Sequence, residues 1–312
     1  MQWLILALII AGCNVCSCKT RQIASEPDPS PKEQHAEPEP TRAEQIMNAL
    51  LAAYPTQIEK VEFRNDDWAL LMRGVWYYYA EGRMLPENLL ENAANYRAML
   101  FYSYPAELPP WVEQNIGSAR IRNNNRTNIN QNTPRRSSYF MDALWQAHSH
   151  TEASDNIKTI TFLGKTARIH HLILEKLTFV EARILAAART DPLVQKWIND
   201  ISVAESWAWR NIANSQARSY HSYGIALDLL PGSLDGKQVY WLWTSQHKEN
   251  WWEVSYNDRY HPPAVVISAF EAYGFIWGGK WFRFDTMHFE YRPEVLILNG
   301  MPLIAHSGYY EP

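Results

Sequence analysis

Two short segments bring together residues that could bind a metal and move a proton. The first is Ser219-Tyr-His-Ser-Tyr-Gly-Ile-Ala-Leu-Asp228 and the second is Asp285-Thr-Met-His288. They offer two imidazoles, His221 and His288, one carboxylate ligand, Asp228, and a further carboxylate, Asp285, three residues before the last ligand. A catalytic zinc site needs such a set: three protein ligands, one coordination position left for water, and a base close by. Asp285 is placed to be that base, taking a proton from the attacking water and passing it to the leaving amine.

These groups must be positioned by the backbone around them. His221 and Asp228 are seven apart, so in one regular strand they would face opposite ways. They converge if His221 sits in a turn and Gly224 bends the chain before a strand that carries Asp228. The second motif follows Gly274-Phe-Ile-Trp-Gly-Gly-Lys-Trp-Phe-Arg283, in which Trp277 and Trp281 either wall a cleft or pack a core. Glu290, two after His288, shares its strand face and either supports the ligand or is exposed.

Ser219-x-His221-x-x-Gly224-x-Ala226-x-Asp228, followed by a carboxylate-x-x-His288, resembles the zinc D-alanyl-D-alanine peptidase family. That family includes the VanX and VanY enzymes and the L-alanyl-D-glutamate endopeptidases of phage endolysins. The resemblance covers roughly 206–290. It implies a small α+β, antiparallel-sheet zinc hydrolase, similar also to the hedgehog signalling domain, acting on peptidoglycan stem peptides. By position it makes His221, Asp228 and His288 the zinc ligands and Asp285 the catalytic carboxylate. Aspartate here, where VanX and VanY carry glutamate, tilts the expectation towards the endolysin-type branch. The resemblance also implies an arginine that polarises the scissile carbonyl; Arg210 is the candidate and Arg218 its rival. Ser219 and Trp281 are expected to face substrate or, for Ser219, to orient a ligand. A non-catalytic, zinc-containing binding lipoprotein is the alternative.

Other groups fall short of this set. His148-Ser-His150 has strand-face spacing but no third ligand follows it, and His170-His171 reads as packing or a polar cap. Ser219 and Ser222 lie outside any Gly-x-Ser-x-Gly elbow, which argues against a serine nucleophile.

Around this core the chain divides into four stretches. Residues 1–18 read as an export signal: an apolar run from Trp3 to Ala11, then Ile10-Ala-Gly-Cys13, which resembles a lipobox with Cys13 as the lipidated residue. All three cysteines fall at or before Cys18, so no disulfide or thiolate site is expected in the folded body. Residues 19–40 are rich in Pro and Glu and suit an extended tether. The expected location is therefore the cell envelope, with a membrane anchor and the enzyme facing the wall.

Residues 41–157 are expected to be mainly helical. Thr41 caps a first helix, Asp66 to Tyr79 carries an apolar stripe at helical spacing, and Leu89 to Tyr102 follows suit. The stretch 119–138, rich in Asn and Arg, reads as a mobile polar loop or a contact for anionic polymer or lipid head groups. Residues 158–312 form the expected peptidase domain. They comprise a hairpin about Gly164-Lys165, helices over Leu172–Ala188 and from Pro192, strands at Ser206–Arg210 and Gly224–Leu229, and a helix over Ala264–Ala272. The 14 Trp and 17 Tyr suit a cleft for a polar polymer or a dense core. A net charge of −4 gives a nucleic-acid partner no support.

Overall fold

The computed structural model describes residues 39–99, 101–107, 135–136, 138–212 and 217–304. Cys13, the export signal and nearly all of the tether lie outside these residues, as does the polar stretch 119–138 apart from Arg135–Arg136 and Ser138.

Helix α1, Arg42–Ala53, begins at Thr41, whose hydroxyl accepts the Glu44 N–H at 3.2 Å. The region that follows is a sheet, which corrects the helical expectation for Asp66–Tyr79. Strands β1 (Lys60–Arg64), β2 (Asp67–Met72), β3 (Val75–Tyr78) and β4 (Leu85–Pro86) form an antiparallel sheet in that order. Two tight turns decide it. Asn65 and Asp66 have φ of 50° and 62°, and Arg73 and Gly74 have 51° and 73°, the left-handed pairs that two-residue hairpins require. The aromatic residues Trp68, Trp76, Tyr77 and Tyr78 then suit a pleated surface. The helix expected from Leu89 is also absent. Glu87–Asn95 forms 3₁₀ turns broken at Asn92, and Tyr96–Arg97 (β5) pairs in parallel with Arg135–Arg136 (β6).

Two short helices, α2 (Tyr139–Leu144) and α3 (His150–Asp155), lead into the hairpin of β7 (Ile157–Phe162) and β8 (Lys165–His170). Its turn is Leu163-Gly164, one residue earlier than expected. Helix α4 spans Leu174–Ala188, and α5, Pro192–Asp200, is capped by the Asp191 carboxylate on Leu193 N at 2.8 Å. The strand that follows is Ile201–Glu205 (β9), not Ser206–Arg210, which runs as an irregular segment. A 3₁₀ turn, Tyr220–Tyr223, precedes β10 (Ala226–Pro231). After helix α6 (Trp241–Ser245) come α7 (Ala264–Ala272), β11 (Phe275–Trp277), β12 (His288–Tyr291) and α8 (Pro293–Leu298).

The second sheet has the order β11-β12-β10-β9, antiparallel throughout. The protein is therefore α+β. Residues Pro40–Pro312 make one compact unit, and a single core joins Ile46, Leu50 and Tyr54 to Trp145, Leu177, Phe270 and Phe289. Helix α1 lies against α8. Among the described residues no helix is long and apolar enough to cross a membrane.

Candidate metal centre

The second sheet brings together two of the three expected ligands by register alone. Asp228 on β10 and His288 on β12 are directly opposed residues of an antiparallel pair, so their side chains share one face at close range. His221 arrives from the 3₁₀ turn. Gly224 ends that turn at φ 70°, and its carbonyl accepts the His170 N–H at 2.9 Å. A Cβ there would collide with the Ile157 side chain and come within 2.9 Å of the His170 nitrogen. Only glycine meets both demands, a left-handed bend and close approach of a neighbouring backbone.

The three side chains converge. His221 Nε2 lies 3.3 Å from one Asp228 oxygen and His288 Nδ1 lies 2.7 Å from the other. One potential ligand atom from each falls within 4.8 Å of the others, and all three residues are buried. The far nitrogen of each ring is already committed. His221 Nδ1 donates to the Ser206 carbonyl at 2.6 Å, and His288 Nε2 donates to the Glu290 carboxylate at 3.0 Å. These acceptors occupy the far nitrogens and leave His221 Nε2 and His288 Nδ1, which face Asp228, as the positions a cation would meet.

Charge tells the same story. Burial opposes ionisation of His288, yet Asp228 and Glu290 outweigh it and raise its pKa well above the ordinary range. Burial also opposes the Asp228 carboxylate, but the two histidines hold its pKa down. Glu290 and Glu294 are buried against the Arg292 guanidinium, and Asp228 is buried between the two imidazoles. A divalent cation would displace the His288 proton and take its place as the positive charge beside Asp228. The donor set of two neutral nitrogens and one carboxylate suits zinc. The residues present therefore fit the ion.

Asp285 sits on the turn before β12. Its backbone N–H donates to Gly278 O at 3.0 Å, and its carbonyl accepts from His288 N at 3.3 Å. A Cβ on Gly278 would lie 2.5 Å from the Asp285 carbonyl, so the Gly278-Gly279 pair lets this loop close. Asp285 Oδ1 is shut off from solvent with no hydrogen-bond partner. Burial, and the nearby Asp228 and Glu290 carboxylates acting against the pull of His288, push its pKa up to about 7. A carboxylate so placed is poised to exchange a proton near neutrality.

The remaining expected site residues fall in different places. Arg210 is exposed at the end of the 206–210 segment. Its charge reaches the Tyr240 phenol, whose pKa burial and Asp285 push up and Arg210 draws back. Arg218 is tied down elsewhere: it binds the Asp142 carboxylate, donates to Ala147 O at 2.8 Å and stacks on Trp209. Ser219 is buried, and its hydroxyl accepts the His221 N–H at 3.4 Å, which suits a residue that orients a ligand more than one that meets substrate. The Trp281 ring centre is 5.5 Å from that of His288. Trp277 belongs to the core. Ser222 is engaged with the Arg210 backbone at 2.9 and 2.7 Å and offers no nucleophile. His148 pairs with Glu152 and His150 packs by Trp207 and Trp209, so neither joins the ligands. His170 is buried with Nε2 on Trp145 O, and burial lowers its pKa to about 4.

Sequence reasoning did not find Tyr240, which bridges Asp285 in antiparallel fashion and so shares its side of the backbone. It lies in Val239-Tyr-Trp-Leu-Trp243, a run that reads as packing, and only the long-range pairing reveals it.

Residues 213–291 match the family model described as D-alanyl-D-alanine carboxypeptidase. The stretch holds His221, Asp228, Asp285 and His288, and the match supports a peptidase of that kind. Residues 46–101 match a second family model, described as a domain of unknown function. No solved structure matches the chain.

Proposed function

We propose that this protein is a zinc-dependent peptidase that hydrolyses peptide bonds in peptidoglycan stem peptides. The observation that carries the reading is the convergence of His221, Asp228 and His288, with the far nitrogen of each ring held by an acceptor, beside the Asp285 carboxylate of raised pKa. Zinc held by those three residues would act as a Lewis acid on the scissile carbonyl and acidify a water molecule.

The chain supplies the rest. Asp285 accepts the proton of the attacking water at a carboxylate oxygen and returns it to the departing amine nitrogen, so that it ends the cycle as it began. Glu290 and the Ser206 carbonyl keep the two imidazoles in position. Arg210, exposed and with its charge reaching Tyr240, offers its guanidinium to the oxygen that gains charge. Trp281 forms a wall beside His288.

The family match and the aspartate at position 285 support two bond types, D-alanyl-D-alanine and L-alanyl-D-glutamate, with the endolysin-type branch favoured by the aspartate. The Cys13 lipobox and the tether over 19–40 support a site of action at the envelope, on a lipid anchor. Digestion of purified peptidoglycan by the zinc-loaded protein, read by mass spectrometry beside Asp285→Ala, tests the proposal. Release of D-alanine would make it a carboxypeptidase, and cuts after L-alanine an endopeptidase. No product from the loaded parent would leave the binding-lipoprotein reading in its place.

A further inference from the structure

A buried polar chain runs from the metal ligands to the residue that ends helix α1. His288, Glu290 and Arg292 alternate along β12 and its exit, so they line one face. His288 Nε2 donates to Glu290 at 3.0 Å, and the other Glu290 oxygen lies 3.6 Å from an Arg292 nitrogen. Arg292 Nε donates to Glu294, whose second oxygen accepts the Tyr54 hydroxyl at 2.6 Å. Arg292 also donates to the Tyr220 hydroxyl at 2.7 Å, and Tyr220 is the neighbour of His221 in the 3₁₀ turn. One guanidinium thus braces both elements that carry the histidines.

Every charged member is nearly closed to water, with Glu290 4%, Arg292 1% and Glu294 2% exposed. Stability alone gives little reason for this arrangement. Replacing a buried ionic group by apolar residues of similar volume is often neutral or favourable, whereas removing one partner is costly. The chain of contacts ends at a metal ligand on one side and at Tyr54 on the other. Tyr54 caps α1, its N–H bonded to Leu50 O at 3.0 Å, and its ring packs edge-on against Trp145 and Tyr291.

We propose that Tyr54, Glu294 and Arg292 are positioning residues of the metal centre. They hold Glu290, and through it the His288 ring, so the region matching a domain of unknown function completes the site from behind. This rests on the zinc reading above. Tyr54 lies inside that 46–101 match and Glu294 follows the 213–291 match, so neither matched stretch contains the whole brace.

The test is zinc affinity of the full chain, measured by competition with a chromogenic chelator where each metal-free variant is fully folded. Glu290→Gln should weaken zinc about 10- to 100-fold, the usual effect of losing a group behind a ligand. Tyr54→Phe keeps the ring and should weaken zinc by about 3- to 10-fold, a smaller loss because it acts through three further contacts. The double variant should bind as Glu290→Gln alone does, since groups in one network are not additive. Glu294→Gln serves as a second probe should Tyr54→Phe fold poorly. Parent-like zinc affinity in Tyr54→Phe and Glu294→Gln, or losses that multiply in the double variant, would overturn the brace while leaving the zinc site standing. A parent that takes up no stoichiometric zinc would overturn both.

Discussion

Replacing Asp285 by Asn should make the metal-free protein more stable and the loaded one nearly inactive. The Asp285 carboxyl moves from 3.8 to about 7 on folding, chiefly because burial penalises its charge. Between roughly pH 4 and 7 the folded form therefore keeps a proton that the unfolded form releases, and stability falls as pH rises. The shift corresponds to about 2–4 kcal/mol, after allowance for the partial exposure of the residue. Asn carries no such penalty. Denaturant unfolding in excess chelator should give similar stabilities at pH 4 and an advantage of that size for Asp285→Asn at pH 8. Zinc uptake should survive, because Asp285 is outside the ligand set, while turnover should drop about 10²- to 10⁴-fold. Superimposable stability profiles would refute the buried placement of the carboxyl, and unimpaired turnover would refute its work as the base.

Zinc affinity should rise with pH by up to about tenfold per unit, because zinc displaces the His288 Nδ1 proton. The sign follows from the raised His288 pKa: its protonation stabilises the metal-free fold below the ordinary histidine value and is lost as pH climbs through the raised one. A pH series of chelator competitions reads this slope. Gly224→Ala should cost at least about 2 kcal/mol in denaturant unfolding, since it adds left-handed strain to a collision with the His170 backbone. Arg210→Ala and Arg218→Ala should separate cleanly. The first should lower kcat by about 10²-fold with stability nearly unchanged. The second should cost about 2 kcal/mol by leaving the buried Asp142 without its cation, as melting curves would show.

The His221, Asp228 and His288 cluster was legible because the chemistry of a metal site admits few residue types and this geometry needs one glycine. His221, Gly224 and Asp228 are close in sequence, and the bend that Gly224 supplies is a local property. The sheet at Lys60–Tyr78 was harder to read. Its apolar residues at 68, 71, 72, 75, 76 and 79 satisfy a helical period, and the competing signal rests on two-residue turns at Asn65-Asp66 and Arg73-Gly74. Local pattern alone gives such turns too little weight. The Tyr54–Glu294 bond, across 240 residues, and the Tyr240–Asp285 bridge leave no local trace at all. Glu290 was visible as a same-face neighbour of His288, but its burial depends on Arg292 and Tyr54, which only the folded chain brings together.

The most direct measurement is an activity titration. The full chain is stripped by chelator, freed of it, and given zinc in fractions of an equivalent while it acts on a defined stem-peptide substrate. The account predicts no hydrolysis at the start and a linear rise that breaks at one zinc per chain. Hydrolysis by the stripped protein would contradict the metal-dependent mechanism, and a fully loaded protein without turnover would contradict the peptidase.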